Sequence, residues 1–267
     1  MSLFTERIVE EYAVDRDKYN FFDVNCWWDY TDNKTFHGLE SFEQLEEELK
    51  THHIKRAVIT SYASYKYDTM KANEELAELI DDKKNLYGCM VLVPELAYSD
   101  GAITNYIDKK IEKGFVCSRM FPKTLRHSMK KWAVGEILDY LEERRFPLIL
   151  WHNEMTWDTI EGLCDEYKNL PIIIEGNDVK LLYHNRNYIP LLKKYENLYL
   201  ETHNIVLYEE LDFLANQISS KKLIFGTYFP YNTPNATMMA VTKGNFSEDA
   251  KYDIAARNLD RLINEIR

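Results

Sequence analysis

The sequence predicts an α/β chain folded as a single (β/α)8 TIM-type barrel over residues 1–267, with an extra helix at the N-terminus. Three observations lead there. The chain has 267 residues, close to the roughly 250 of one α/β barrel. Eight short apolar runs follow one another at roughly 24- to 35-residue intervals, the length of a strand plus its crossover helix. Composition does not break anywhere between them, so no linker divides the chain. A doubly wound open sheet is the runner-up, because alternation alone does not prove closure. A dinucleotide-binding fold is disfavoured, since "NCWWDYTDN" after the first run has no glycine-rich turn.

The opening stretch, "MSLFTERIVEEYAVDRDKYN", is charged and helical in pattern and lacks an apolar targeting core. No apolar stretch approaches the ~18 residues a membrane span needs, and a cytoplasmic protein is expected. The runs then come in order: "FFDVNCW" from Phe21, "RAVITSY" from Arg56, "LYGCMVLV" from Leu86 and "FVCSRMF" from Phe115. They continue with "PLILWHN" from Pro147, "PIIIEGN" from Pro171, "LYLETHN" from Leu198 and "KLIFGTYF" from Lys222. Their near-continuous apolar character is what parallel strands covered on both faces require. The segments between carry helix signals. Ser41 with Gln44 forms a capping-box pattern, and Phe42, Leu45 and Leu49 line one face behind it. Trp132, Ile137 and Leu141 are expected to do the same in the helix ending at Arg144 and Arg145. Ser247, followed by Glu248 and Asp249, opens the last helix.

Net charge is −11, spread along the chain. That argues against nucleic acid or an anionic membrane surface as partner, since both select basic patches. The expected partner is a small molecule. A homo-oligomer is compatible with the many aromatic residues, but nothing in the sequence sets its symmetry. The four cysteines, Cys26, Cys89, Cys117 and Cys164, form no CxxC pair and are expected as reduced core thiols.

In a barrel the chemistry belongs at the strand C-terminal ends. Those ends present Asp23, Asn25 and Trp27; Ser61; Arg119; His152 and Glu154; Glu175 and Asn177; Glu201 and His203; and Tyr228. Each has a bland alternative: Arg119 as a brace paired with a strand-end acid, Glu175 turned outward by strand alternation. His37, His52, His53, His127 and His184 read as loop or helix residues with surface roles.

The same strand ends resemble the amidohydrolase superfamily, in its amidohydrolase-related branch of metal-dependent hydrolases and decarboxylases. The family's last strand reads like "LLFGSD-P" or "ILFGTD-P", and this chain has "LIFGTYFP". Its closing Asn-x-x-Arg-Leu helix is matched by Asn258, Leu259, Asp260, Arg261 and Leu262. Its Asp-x-His-x-His first strand is met by Asp23, Val24, Asn25, Cys26 and Trp27, and its P-x-x-x-x-His strand by Pro147 through His152. "PIIIEGND" stands where the family has His-x-Gly, with Glu175 or Gly176 at the histidine position. Tyr228 stands where the family carries its metal-proximal aspartate.

The resemblance implies a hydrolase or a C–C or C–N bond-cleaving enzyme acting on a small anionic substrate. The substitutions imply loss of the usual metal site, since zinc needs three or four nitrogen, sulfur or oxygen ligands and only His152 remains. An improvised set from His203, His152, Glu154, Glu201 and Cys26 is limited by parity, because Cys26 opposes Asn25 and Trp27. No cofactor is therefore expected, with a divalent metal such as zinc as the less favoured alternative. The expected roles are His152 or His203 as general base, Tyr228 as acid or oxyanion donor, and Asn25, Trp27 and Arg119 as substrate contacts. The alternative is a non-catalytic ligand-binding or scaffold barrel. Either way, Asn25, Trp27, Arg119, His152, His203 and Tyr228 should meet at the mouth, with His152 bonded to the Tyr228 hydroxyl.

Overall fold

The computed structural model describes residues 3–28, 39, 41–99, 101–176 and 181–267. Its sheet has eight parallel strands in sequential order. These are β1 (Phe22–Trp28), β2 (Arg56–Ser61), β3 (Leu86–Val91), β4 (Phe115–Arg119), β5 (Leu148–Trp151), β6 (Ile172–Glu175), β7 (Leu198–Glu201) and β8 (Leu223–Ile224). Every predicted apolar run supplies one strand. Only two residues of the last run join the ladder, and the segment after them closes the barrel. Val24 N donates to Phe225 O at 3.0 Å, and Trp27 N to Phe229 O at 2.8 Å. Helices follow the strands and the result is the expected TIM-type barrel rather than an open sheet.

Strand parity sorts the core. Leu148, Leu150, Ile172, Ile174, Leu198 and Leu200 face outward and pack on helix residues such as Leu45, Ile107, Leu138 and Leu163. The alternate positions, among them Val58, Cys89, Cys117, Ile149 and Ile173, fill the lower barrel. Each such aliphatic side chain stabilises the fold by about 1.5–3 kcal/mol on removal from water. All four cysteines are buried free thiols. Among the described residues no helix is long and apolar enough to cross a membrane.

Caps behave as the sequence indicates. Ser41 Oγ accepts from Gln44 N at 3.2 Å and Ser247 Oγ from Ala250 N at 3.2 Å. One face assignment fails. In the helix Lys131–Arg144, Ile137 and Leu141 are buried, but Trp132 is 80% exposed. Ile137 and Leu141 lie one turn apart, whereas Trp132 is five residues back, roughly 140° round the helix from Ile137.

The N-terminal helix, Leu3–Lys18, lies outside the barrel. Tyr12 donates to Asn235 Oδ1 at 2.9 Å, and Lys243 reaches Asp15 at 2.8 Å. The barrel bottom is covered by the C-terminal helix instead. Leu259 and Leu262 enter the lower core, Asp260 takes both Arg56 amino groups at 2.5 and 2.8 Å, and Glu265 takes Arg145 at 2.5 Å.

Candidate functional site: the barrel mouth

β1 carries a bulge between Asp23 and Cys26. An extra residue re-aims the chain, so Val24 packs in the lower core while Asn25 and Trp27 both serve the mouth and Cys26 joins the outer layer. Asp23 holds this geometry. Its Oδ1 accepts from Asn25 N at 2.8 Å and Thr227 N at 3.1 Å, and its Oδ2 from Cys26 Sγ at 3.1 Å and from the Thr227 hydroxyl. Burial pushes its pKa up to about 6, against the downward pull of those donors.

Arg119, at the end of β4, is fully buried and spans the mouth floor. Its guanidinium makes a two-pronged ion pair with Glu175 from the end of β6, one prong at 3.1 Å. It also donates to Thr60 Oγ1 and Asn25 Oδ1, both at 3.0 Å, and its carbon sits 5.0 Å from the Trp27 ring centre. Burial opposes its charge and Glu175 favours it, with the net pKa direction upward. Glu175 therefore points inward, and Arg119 is the brace of the bland alternative rather than an open anion contact. Both side chains are sealed, and the paired charges satisfy each other in the interior.

Asn25 is equally committed. Its Oδ1 also accepts from Trp27 Nε1 at 2.9 Å, and its Nδ2 donates to Glu201 Oε2 at 3.3 Å. Glu201, ending β7, accepts His203 N at 2.7 Å through Oε1, and its Oε2 meets His203 Nδ1. A carboxylate at Nδ1 fixes the ring's orientation and places a proton on that nitrogen. Room for Glu201 comes from Gly226. A Cβ there would fall 2.6 Å from Glu201 Cδ. The His203 ring stacks on Tyr228 with centres 5.2 Å apart, and Tyr228 stacks on Tyr231 at 4.8 Å.

His152 stands to one side. Its Nδ1 lies 3.3 Å from Glu175 O, and its Nε2 is buried without a hydrogen-bond partner among the described residues. It is thus not the partner of the Tyr228 hydroxyl. His184 turns out to belong here, its ring 4.7 Å from His152 and its Nδ1 accepting from Trp157 Nε1 at 3.0 Å. Sequence reasoning placed it in a surface role, and only the fold brings it back to the mouth. Glu154 accepts from Thr124 N and Oγ1 at 2.9 and 2.7 Å, and Ser61 is a buried helix N-cap. Over all of this lies an aromatic group: Trp27 and Tyr228 with Phe121, Trp151, Tyr62 and Tyr65. Asn177 and His37 lie outside the described residues.

Burial holds the His152 pKa down to about 4, against a smaller upward pull from the Glu175 carbonyl. Below about pH 6.5, the ordinary histidine value, the unfolded chain takes up a proton here that the folded chain refuses. This stability is complete above about pH 6.5 and lost as pH falls towards 4. Asp23 has the opposite sign, because its raised pKa lets the folded chain take up the proton first. The stability difference between wild type and His152→Asn should therefore grow in favour of wild type from pH 4 to about 6.5, then level off. Urea unfolding at stepped pH measures it, and a difference independent of pH would contradict the buried neutral imidazole.

No family model matches the chain, and no curated protein matches it in sequence. Solved structures do. The 5-carboxyvanillate decarboxylase of Novosphingobium aromaticivorans, complexed with manganese and 4-hydroxy-3-methoxy-5-nitrobenzoic acid, aligns with a TM-score of 0.70 at 11% identity, covering 93% of this chain and 97% of that one. A dihydroxybenzoic acid decarboxylase from Polaromonas, with bound manganese and 2-nitroresorcinol, aligns at 0.68 and 16% identity over 92% and 97%. A structure described as an amidohydrolase II aligns at 0.68 and 15% over 91% and 99%. The chain thus has the barrel fold of amidohydrolase-superfamily proteins. At these identities, the fold is what is shared.

Two of those structures hold manganese, which directs attention to the donors at this mouth. Asn25 Oδ1 already accepts two hydrogen bonds, Trp27 has no lone pair to give, and His203 Nδ1 is taken by Glu201. His152 Nε2 is buried without a hydrogen-bond partner among the described residues. Among the described residues no three His, Cys, Asp or Glu side chains group as metal ligands. The Asn25 Oδ1 and His203 Nδ1 donors are thus spent within the protein.

Proposed function

We propose that the mouth is a metal-independent acid–base site that cleaves a bond in a small, ring-bearing carboxylate. His203, held by Glu201, moves the proton, with Tyr228 stacked beside it as acid or oxyanion donor. The observation that carries this reading is the Asn25–Glu201–His203 chain of hydrogen bonds ending against Tyr228. It is the arrangement of an oriented general base. The aromatic rim supplies faces on which a planar substrate stacks. Because Arg119 is sealed by Glu175, a substrate carboxylate is expected to be met by protonated His203 rather than by the guanidinium. Decarboxylation needs only what this set offers: a C–C bond breaks, carbon dioxide leaves, and a proton held by His203 takes its place on carbon.

Hydroxylated benzoates, 2,6-dihydroxybenzoate included, are the first substrates to try, since structural neighbours act on such acids. Carbon dioxide release by the purified protein should survive dialysis against a chelator. It should fall on the order of 10²–10⁴-fold in His203→Asn. Turnover abolished by the chelator and restored by manganese would overturn the reading.

The second reading is a ligand-binding barrel without chemistry. It is favoured by Trp27, which fills the mouth while Asn25 and Arg119 spend their hydrogen bonds internally. Ring binding seen by NMR, with no turnover and no change in His203→Asn, would decide for it.

A further inference from the structure

At the opposite end of the barrel from the mouth lies a cavity of about 450 Å³. Its walls are the starts of β7 and β8 and the C-terminal helix. Lys221, Lys222, Arg257 and Arg261 line it against two carboxylates, Glu196 and Asp253. That balance is unusual in a chain of net charge −11.

The cations differ in how they are held. Arg261 is pinned. Its guanidinium carbon lies 5.6 Å from the Tyr199 ring centre, one amino group reaches Tyr199 Oη at 3.4 Å, and the other donates to Lys221 O at 3.1 Å. Those are neutral acceptors, and they leave most of its five N–H groups uncommitted. No carboxylate among the described residues pairs with Arg261 or with the Lys221 ammonium. Lys222 is anchored by the carbonyls of Leu192 and Tyr195, at 2.7 and 2.6 Å, with Glu196 at 3.8 Å. Arg257 is only loosely balanced, 3.5 Å from Asp249 and 3.9 Å from Asp253.

A second feature converges on the same hollow. The π-helical segments Leu214–Ser219 and Asp253–Arg257 both contribute lining residues, Ser219 from one and Asp253 and Arg257 from the other. Such segments are rare and collect at functional sites. Here they widen the helices that carry Ser219 and Arg257 at the cavity wall.

We propose that this cavity is a binding site for a phosphate group, either inorganic phosphate or the phosphate of a small monoester. A fixed guanidinium fork matches the tetrahedral oxygens, and Lys221 adds a mobile point charge. The volume admits a small organic group beside the phosphate. The site is independent of the chemistry at the mouth.

The experiment is a titration of the full chain with inorganic phosphate and, separately, glycerol phosphate, followed by calorimetry against sodium chloride of equal ionic strength. Both variants, Arg261→Gln and Lys221→Gln, are run alongside. Lys221 is exposed, so its variant folds even if loss of Arg261 disturbs the helix. Saturable binding by wild type, weakened about tenfold or more in each folded variant, is the expected result. Tighter binding of the monoester assigns the site to a phosphorylated small molecule, and equal binding assigns it to phosphate itself. Absence of binding by wild type, or equal binding by Lys221→Gln, overturns the proposal.

Discussion

Arg119→Met should lose about 3–5 kcal/mol of folding stability, the usual cost of stranding one partner of a buried ion pair. Arg119 and Glu175 are each 0% exposed, so the carboxylate left behind has no water to retreat to. Its bidentate partner is gone, and the nearby Glu201 carboxylate adds like charge rather than compensation. A single domain holds only about 5–15 kcal/mol in total, so the variant should unfold at a much lower urea concentration. Loss of the guanidinium also takes a donor from Thr60 Oγ1 and one of two donors from Asn25 Oδ1, which keeps Trp27 Nε1. The control is Arg119→Met with Glu175→Gln. Removing the stranded charge should return a substantial part of the loss, because the penalty lies in the uncompensated carboxylate. A single variant within about 1 kcal/mol of wild type would mean that Glu175 is neutral in the folded protein and the brace is unnecessary.

The second large effect is expected at Gly226→Ala. The backbone there needs no positive φ, so alanine's conformation is not the obstacle. The added methyl would lie 2.6 Å from Glu201 Cδ and closer still to Oε1, while Glu201 is held in place by His203 and Asn25. Overpacking costs about 1–3 kcal/mol, and displacing the carboxylate forfeits charge-assisted hydrogen bonds of about 1.5–3 kcal/mol each. A total loss of about 3–5 kcal/mol follows. Any turnover at the mouth should fall with it, because His203 would lose its orienting carboxylate. Shortening the acid restores space, so Gly226→Ala with Glu201→Asp should recover stability more than the separate effects allow. Additive losses in that cycle would sink the steric account.

These two expectations rest on contacts of different legibility. Glu201 and His203 were legible as polar ends of the seventh run. Strand alternation put Glu201 and His203 on one face, and two residues of spacing brought them within reach of each other. The eight runs, the Ser41 and Ser247 caps and the N-terminal helix are likewise local matters. A period of two or of 3.6 residues, or a hydroxyl three residues before an amide, is written into adjacent letters.

Arg119 and Glu175 are 56 residues apart, and Asn25 and Glu201 are 176 apart. Their meeting depends on barrel closure and on the β1 bulge, which sets which side chain of a strand reaches the mouth at a given height. No local period encodes that register. The same holds for His184, carried to His152 by the segment after β6, and for the C-terminal helix that takes the barrel bottom while the N-terminal helix stays outside. The sequence by itself determined eight parallel strand-and-helix units and the polarity of their C-terminal ends, because burial on both faces and the crossover length leave little else. Closure into a barrel is a tertiary outcome. Which of those polar groups remain available, and which are spent on one another, was decided only by tertiary structure. Hydrogen-bond capacity is consumed by whichever neighbours packing supplies.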